Sequence, residues 1–109
     1  MKAETHKFVI KSNRAPVVEI DSAAQAAYVR FKHAKVARTL DAGATSMHIA
    51  IDLDANNEVI GVEAIGLHQF NIELVLKKAR MEAPASMLER ARYIPAMLSA
   101  SHSEALAEA

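Results

Sequence analysis

The chain contains no cysteine. That excludes a disulfide framework, a thiolate nucleophile and a cysteine-ligated zinc site. Only three glycines are present, and none forms a Gly-rich phosphate loop or a Gly-x-Ser-x-Gly elbow. Charge of one sign is lacking as well: thirteen basic residues face thirteen acidic ones. A generic electrostatic nucleic-acid binder needs a basic surplus, so that class is disfavoured. No apolar run approaches the length that spans a bilayer, and the run in MKAETHKFVIKSNR is too short for a secretory signal. The expected location is the cytoplasm, with no membrane partner.

What is there is a chain of 109 residues with 51% hydrophobic content. It is the size of one domain and long enough to bury roughly two-thirds of its unfolded surface. The clearest pattern lies in MHIAIDLDANNEVIGVEAI, residues 47–65. Met47, Ile49, Ile51 and Leu53 alternate with His48, Ala50, Asp52 and Asp54, the period of a half-buried strand. Ala55-Asn56-Asn57-Glu58 reads as a loop, and Val59 to Ile65 as the returning strand. Pairing Asp54 with Val59 sets Leu53 against Ile60, Ile51 against Val62 and Ile49 against Ala64. One face is then apolar, and the other carries His48, Asp52 and Glu63. A shift by one residue would bury Glu63.

Before the hairpin, Phe8 to Ile10 is open between strand and loop, and Ser12 to Pro16 is a break. Val17 to Asp21 alternates, with Val18 and Ile20 on one side, and Asp21 can cap the turn that follows. Ala26 to Phe31 reads as a strand with Tyr28 and Arg30 on one face, Val29 and Phe31 on the other; the alternative is a helix continuing from the alanines of 23–27. Lys35 to Leu40 reads as a further strand, ending in a turn at Asp41 to Thr45 that contains Gly43. After Gly66 the period changes. Asn71 is a good N-cap, Phe70 can staple onto Val75, and Ile72, Val75, Leu76 and Ala79 form one stripe of a helix over 71–82 that Pro84 ends. Ser86 to Glu89 has the form of a capping box that starts a second helix, and Pro95 must stop it, kink it or open a new one.

Asp21, then Ala26-Ala27-Tyr28-Val29-Arg30-Phe31, Val36-Ala37-Arg38-Thr39, Asp52-Leu53-Asp54 and Val59-Ile60-Gly61-Val62-Glu63 together resemble a family of small bacterial domains of unknown function, the one numbered 2283. The likeness covers roughly residues 17–66. It marks a fold and carries no catalytic signature. Asn56-Asn57 stands where such domains typically carry Asp-Gly, and asparagine also tolerates the left-handed region. The resemblance implies no activity; some members sit beside toxin-like proteins, which implies an antitoxin-like role and transfers no site residue.

Several constellations compete for chemistry. Asp52, Asp54, Asn56 and Glu63 match an EF-hand spacing, but Asn57 replaces the required glycine and the flanks have strand periodicity. His48, Asp52, Glu63 and His68 are the candidate divalent-metal or general-base set on the polar face of the hairpin. His6, His33 and His102 have no evident partners. Arg30, Lys32, Lys35 and Arg38, with Tyr28 and Phe31, form a basic stretch that reads as a phosphate contact or, preferably, as a sheet face paired with Glu19 and Asp21. The segment Met87, Leu88, Tyr93, Ile94, Met97 and Leu98 is apolar nearly all round and is the candidate partner surface, folding either onto its own sheet or onto another chain.

The expected fold is α+β. It is one domain over 1–109: an antiparallel meander of four to five short strands (17–66), a helix on one face (71–82) and a helical C-terminal arm (85–109). The leading expectation is a non-catalytic interaction module without cofactor, homo-oligomeric with a dimer favoured, holding a small protein partner. The alternative is a small-ligand or metal-binding protein.

Overall fold

The computed structural model describes residues 8–10, 14–42, 48–66 and 70–95. Gly43, Met47, His6, His68, Met97, Leu98 and His102 lie outside them. The strands are β1 (Phe8–Val9), β2 (Val17–Asp21), β3 (Ala26–Arg30), β4 (Arg38–Asp41), β5 (His48–Leu53) and β6 (Val59–Ile65). Then come α1 (Ile72–Lys78), β7 (Met81–Glu82), α2 (Ala85–Glu89) and β8 (Arg92–Pro95). The class is α+β.

Local chemistry explains most of these elements. Asp21 caps its turn by accepting the Ala24 N–H at 3.1 Å. Asn71 caps α1 through its side chain, which accepts the Leu74 N–H at 3.1 Å. Glu73 in the first turn and Lys77 and Lys78 in the last suit the helix dipole. Ile72, Val75, Leu76 and Ala79 are all buried, the expected stripe.

The sheet departs from the expected meander. Six strands run in the order β4-β5-β6-β3-β2-β8, and β1 and β7 form a separate parallel pair. β4, β5 and β6 follow one another, but β3 lies beside β6 and not beside β4. The chain after β3 therefore crosses to the far edge, with Phe31 and Lys32 N–H groups both donating to the Ile60 carbonyl at 2.8 and 3.3 Å. Pairing β3 with β6 sets Val29 on Val62 and Ala27 on Ala64. This continues the apolar face that Ile49, Ile51 and Leu53 begin, and it is a long-range gain that local periodicity does not report.

The hairpin register is the expected one over Ile49–Ala64 and Ile51–Val62, but Leu53 pairs with Val59 instead of Ile60, with an irregularity at Asp52/Leu53. The cause is the turn. The Asp54 N–H donates to the Glu58 carbonyl at 2.9 Å, so the loop is one residue shorter than expected. Asn57 takes φ 66° to close it. The extra residue is absorbed as a bulge, and Val59 and Ile60 are both buried.

The second half also differs. α1 stops at Lys78, and Arg80 at φ 57° reverses the chain into β7, so Pro84 does not end this helix. Pro84 instead occupies the N-cap position of α2, which has no side-chain cap bond; Ser86 lies inside the helix and the capping box does not form. The arm is not helical throughout: residues 92–95 are a strand, parallel to β2 from Val17↔Arg92 to Ile20↔Pro95. Ile94 precedes a proline, which disfavours helix and favours extended backbone. Pro95 can end an edge strand because no further N–H is needed there.

The core lies on one face of the six-stranded sheet. Val18, Val29, Phe31, Ile49, Ile51, Leu53 and Val62 pack with Val75, Leu76, Met81 and Met87 in one cluster. The opposite face carries the polar residues described next.

Candidate functional site

On the face away from the core, side chains from β2, β3, β4 and β5 join across the sheet. Strand alternation places them there: Tyr28, Arg30 and Asp52 lie between buried neighbours, and Glu19 and Thr39 are in register with Tyr28 and Asp52. Thr39 Oγ1 donates to Asp52 Oδ1 at 2.6 Å. The Tyr28 hydroxyl donates to Asp52 Oδ2 at 2.8 Å. The Arg30 guanidinium sits 5.0 Å from the centre of the Tyr28 ring and reaches Glu19 at 3.6 Å. The row reads Thr39–Asp52–Tyr28–Arg30–Glu19.

Gly61 makes the row possible. It pairs with Asp52 on one side and Arg30 on the other. A Cβ there would lie 2.4–2.5 Å from the ring and hydroxyl of Tyr28, so only glycine lets the ring lie flat across β6. Burial, and then the hydrogen bond to Asp52, push the Tyr28 hydroxyl well above its ordinary value of 10.0. The phenol keeps its proton at neutral pH and donates it to Asp52.

A second polar group stands at the hairpin tip. Asp54 Oδ1 accepts the N–H groups of Asn56 at 2.8 Å and Glu58 at 3.0 Å. Its other oxygen meets Lys32 Nζ at 2.6 Å, and Lys32 also reaches Glu58 at 2.9 Å. Lys32 and the turn N–H groups hold the Asp54 carboxyl below its ordinary value. The two carboxylates raise the Lys32 ammonium in turn. Arg38 donates to the Asn57 side chain. The ammonium thereby fastens the chain leaving β3 to the β5–β6 turn.

The metal candidates are spread along this face. His48 is exposed, opposite Ile65, and Glu63 lies between Ala50 and Tyr28. Asp52 is four positions from His48 on β5, a separation of about 13 Å at strand rise. Asp52 also engages Tyr28 and Thr39. Among the described residues no group of three His, Asp or Glu side chains is arranged to hold a metal ion. The EF-hand spacing falls on two strands and a turn, with Asp54 committed to Lys32 and backbone. In the basic stretch, Arg30 pairs with Glu19 as expected, whereas Lys32 pairs with Asp54 and Glu58, and Asp21 caps its turn.

The partner candidates divide. Met87 is 1% exposed in the core and Leu88 packs against it, so both serve their own chain. Tyr93 is 52% exposed and stacks edge-to-face on Phe70 at 5.9 Å; Ile94 is half-buried. The Tyr28–Asp52 and Lys32–Asp54 contacts join segments far apart in the chain and leave no mark in local periodicity. The available signal for the first was Gly61, since an isolated glycine in a strand pattern marks a close approach.

No helix among the described residues is long and apolar enough to cross a membrane. No curated protein and no solved structure matches the chain. The family model described as protein of unknown function (DUF2283) matches residues 18–66. That span runs from β2 through β6 and contains Glu19, Tyr28, Arg30, Thr39, Asp52, Asp54 and Gly61. The resemblance read from the residues is supported: the DUF2283 family model matches the strands that carry the polar row.

Proposed function

We propose that the chain is a non-catalytic protein-interaction module that recruits its partner by extending the six-stranded sheet at β4. One observation carries this reading. Among the described residues, β4 is an edge strand of four exposed or half-exposed residues with β5 as its one neighbour. The Ala42 N–H donates to the Ile49 carbonyl. By the alternation of an antiparallel ladder, Leu40 and Arg38 also turn their backbone groups to β5, and Thr39 turns its own outward. An outward N–H and C=O on an edge strand form a template for another strand.

The side chains behind the edge favour binding over chemistry. Tyr28 and Thr39 both donate to Asp52, Arg30 pairs with Glu19, and Lys32 is held by Asp54 and Glu58. These contacts stiffen the strands next to β4, and a rigid edge loses less freedom when it adds a strand.

Native mass spectrometry on gently purified protein tests the reading with two substitutions. Thr39→Pro removes the outward N–H and should abolish the complex. Thr39→Ala removes only the hydroxyl and should retain it. A monomer at every concentration, with no fixed-ratio complex, would overturn the proposal, as would a complex indifferent to Thr39→Pro.

A further inference from the structure

We propose that residues 32–42 form a strap along the outer side of β5, and that the charges around Lys32 set how often it opens and withdraws the β4 edge. As regulation of that edge the proposal rests on the sheet-extension reading above; the opening itself rests on the strap's own contacts. Apolar burial holds this segment weakly. His33 to Thr39 are exposed without a break, with Val36 at 45%. Leu40 and Ala42, both half-buried, are its contacts with the core cluster. In β5, by contrast, Ile49, Ala50, Ile51 and Leu53 are all buried. Segments with few buried apolar contacts open locally, well before the whole domain unfolds.

Polar contacts supply what burial does not, and they land on β5 or on the turn after it. Lys32 reaches Asp54 and Glu58, Arg38 reaches Asn57 and Thr39 reaches Asp52. Asp41 is engaged as well. Asp54 joins the two structures: one oxygen accepts the Asn56 and Glu58 N–H groups, and the other takes the Lys32 ammonium. One carboxylate thus shapes the turn and seats the strap on it. The Lys32 side chain is 31% exposed, so dissolved salt can screen this staple. A partner strand added at β4 needs the strap closed, and its apparent affinity scales with the closed fraction.

Backbone parity states which amides an open strap frees. The Ala42 N–H donates to the Ile49 carbonyl, so Ile49 and Ile51 turn their backbone groups to β4 and Ala50 turns its own to β6. On the far side of β6 the Gly66 N–H donates to the Gln25 carbonyl, which leaves Glu63 turned to β5, opposite Ala50. Opening therefore unprotects Leu40, Ala42, Ile49 and Ile51, while Ala50 and Glu63 stay bonded to each other. Ala50 and Ile51 are neighbours in sequence with opposite fates, and unfolding of the whole sheet would not separate them.

Hydrogen exchange of the full chain, followed residue by residue at neutral pH, tests the proposal. Leu40, Ala42, Ile49 and Ile51 should exchange as one group, faster than Ala50 and Glu63. Lys32→Met should speed the first group by about two- to ten-fold, the range that exposed ion pairs support, and leave the second unchanged; Lys32→Arg should restore the parent rates. Sodium chloride at about 0.5 M should speed the first group in the parent and not in Lys32→Met. In a complex that Thr39→Pro abolishes, the first group should slow, because the partner binds the closed strap. Exchange of all these amides as a single group overturns the strap. Two groups that ignore both Lys32→Met and salt overturn its control by Lys32. A complex that leaves the first group unslowed overturns the regulation of the edge. A monomer at every concentration, with the strap opening as described, overturns the sheet-extension reading and leaves the strap standing.

Discussion

A methyl group at position 61 would land in the Tyr28 ring, and the ring has no easy retreat. Asp52 holds its hydroxyl and Arg30 covers its face. Gly61→Ala should therefore destabilise the protein by about 1–3 kcal/mol, the usual range for overpacking. In thermal unfolding each kcal/mol corresponds to roughly 4–8 °C for a domain of this size. The same substitution in a Tyr28→Ala background should lose most of its effect, because the clashing atoms are gone; a double-mutant cycle checks this. The ion cluster at the hairpin tip makes a separate prediction. The Asp54 carboxyl is depressed in the folded state, so its contribution is complete above the unfolded value near 3.8 and is lost as pH falls through the lower folded value. Lys32 is raised, so its contribution is complete below 10.5 and is lost as pH rises beyond that. Denaturant midpoints measured from pH 2 to 7 should fall less steeply in Asp54→Asn than in the parent. An identical slope would show that Asp54 has no part in acid stability.

At the scale of elements, the turns decide what the strands can do. Asn57 holds φ 66° at the tip of the β5–β6 turn, a region that costs a β-branched residue about 1–2 kcal/mol. Asn57→Val should lose that amount in equilibrium unfolding, and Asn57→Gly should fold normally. Asn71→Ala should cost about 1 kcal/mol through the lost cap on α1. Both of these positions were legible in the sequence, because caps and turns act through residues a few positions apart. The alternation of Ile49, Ile51 and Leu53 and the stripe Ile72, Val75, Leu76, Ala79 were legible for the same reason. Contacts between distant segments were not. Tyr28 and Asp52 are 24 positions apart, and nothing in either segment states that β3 lies beside β6. The apolar residues of Arg92 to Pro95 continue the pattern of α2 and point locally to helix, whereas the structure makes them a strand. The open edge of β2 made a strand there, and that edge exists only after the sheet has formed.

Over the whole molecule, the segment that the family model matches and the residues after it share one core. Residues 18–66 supply the sheet, but Val75, Leu76, Met81 and Met87 cover its apolar face, and β8 pairs with β2. Removing residues 84–109 would thus take Met87 out of the core and β8 off the edge of β2. Met87 is the most economical probe of this dependence. It is 1% exposed, and truncating a buried methionine to alanine typically costs about 2–5 kcal/mol. Small domains are stable by about 5–15 kcal/mol, so Met87→Ala should fold with a sharply lowered midpoint, whereas deletion from residue 84 should leave a chain that binds a hydrophobic dye and lacks a cooperative transition. A fragment ending at residue 83 that unfolds cooperatively, with the midpoint of the full chain, would mean that the sheet closes its core without Met87 and β8. In that case the C-terminal segment would be free to serve a partner. The expected collapse would instead show that Met87 and β8 are committed to the core and sheet of their own chain.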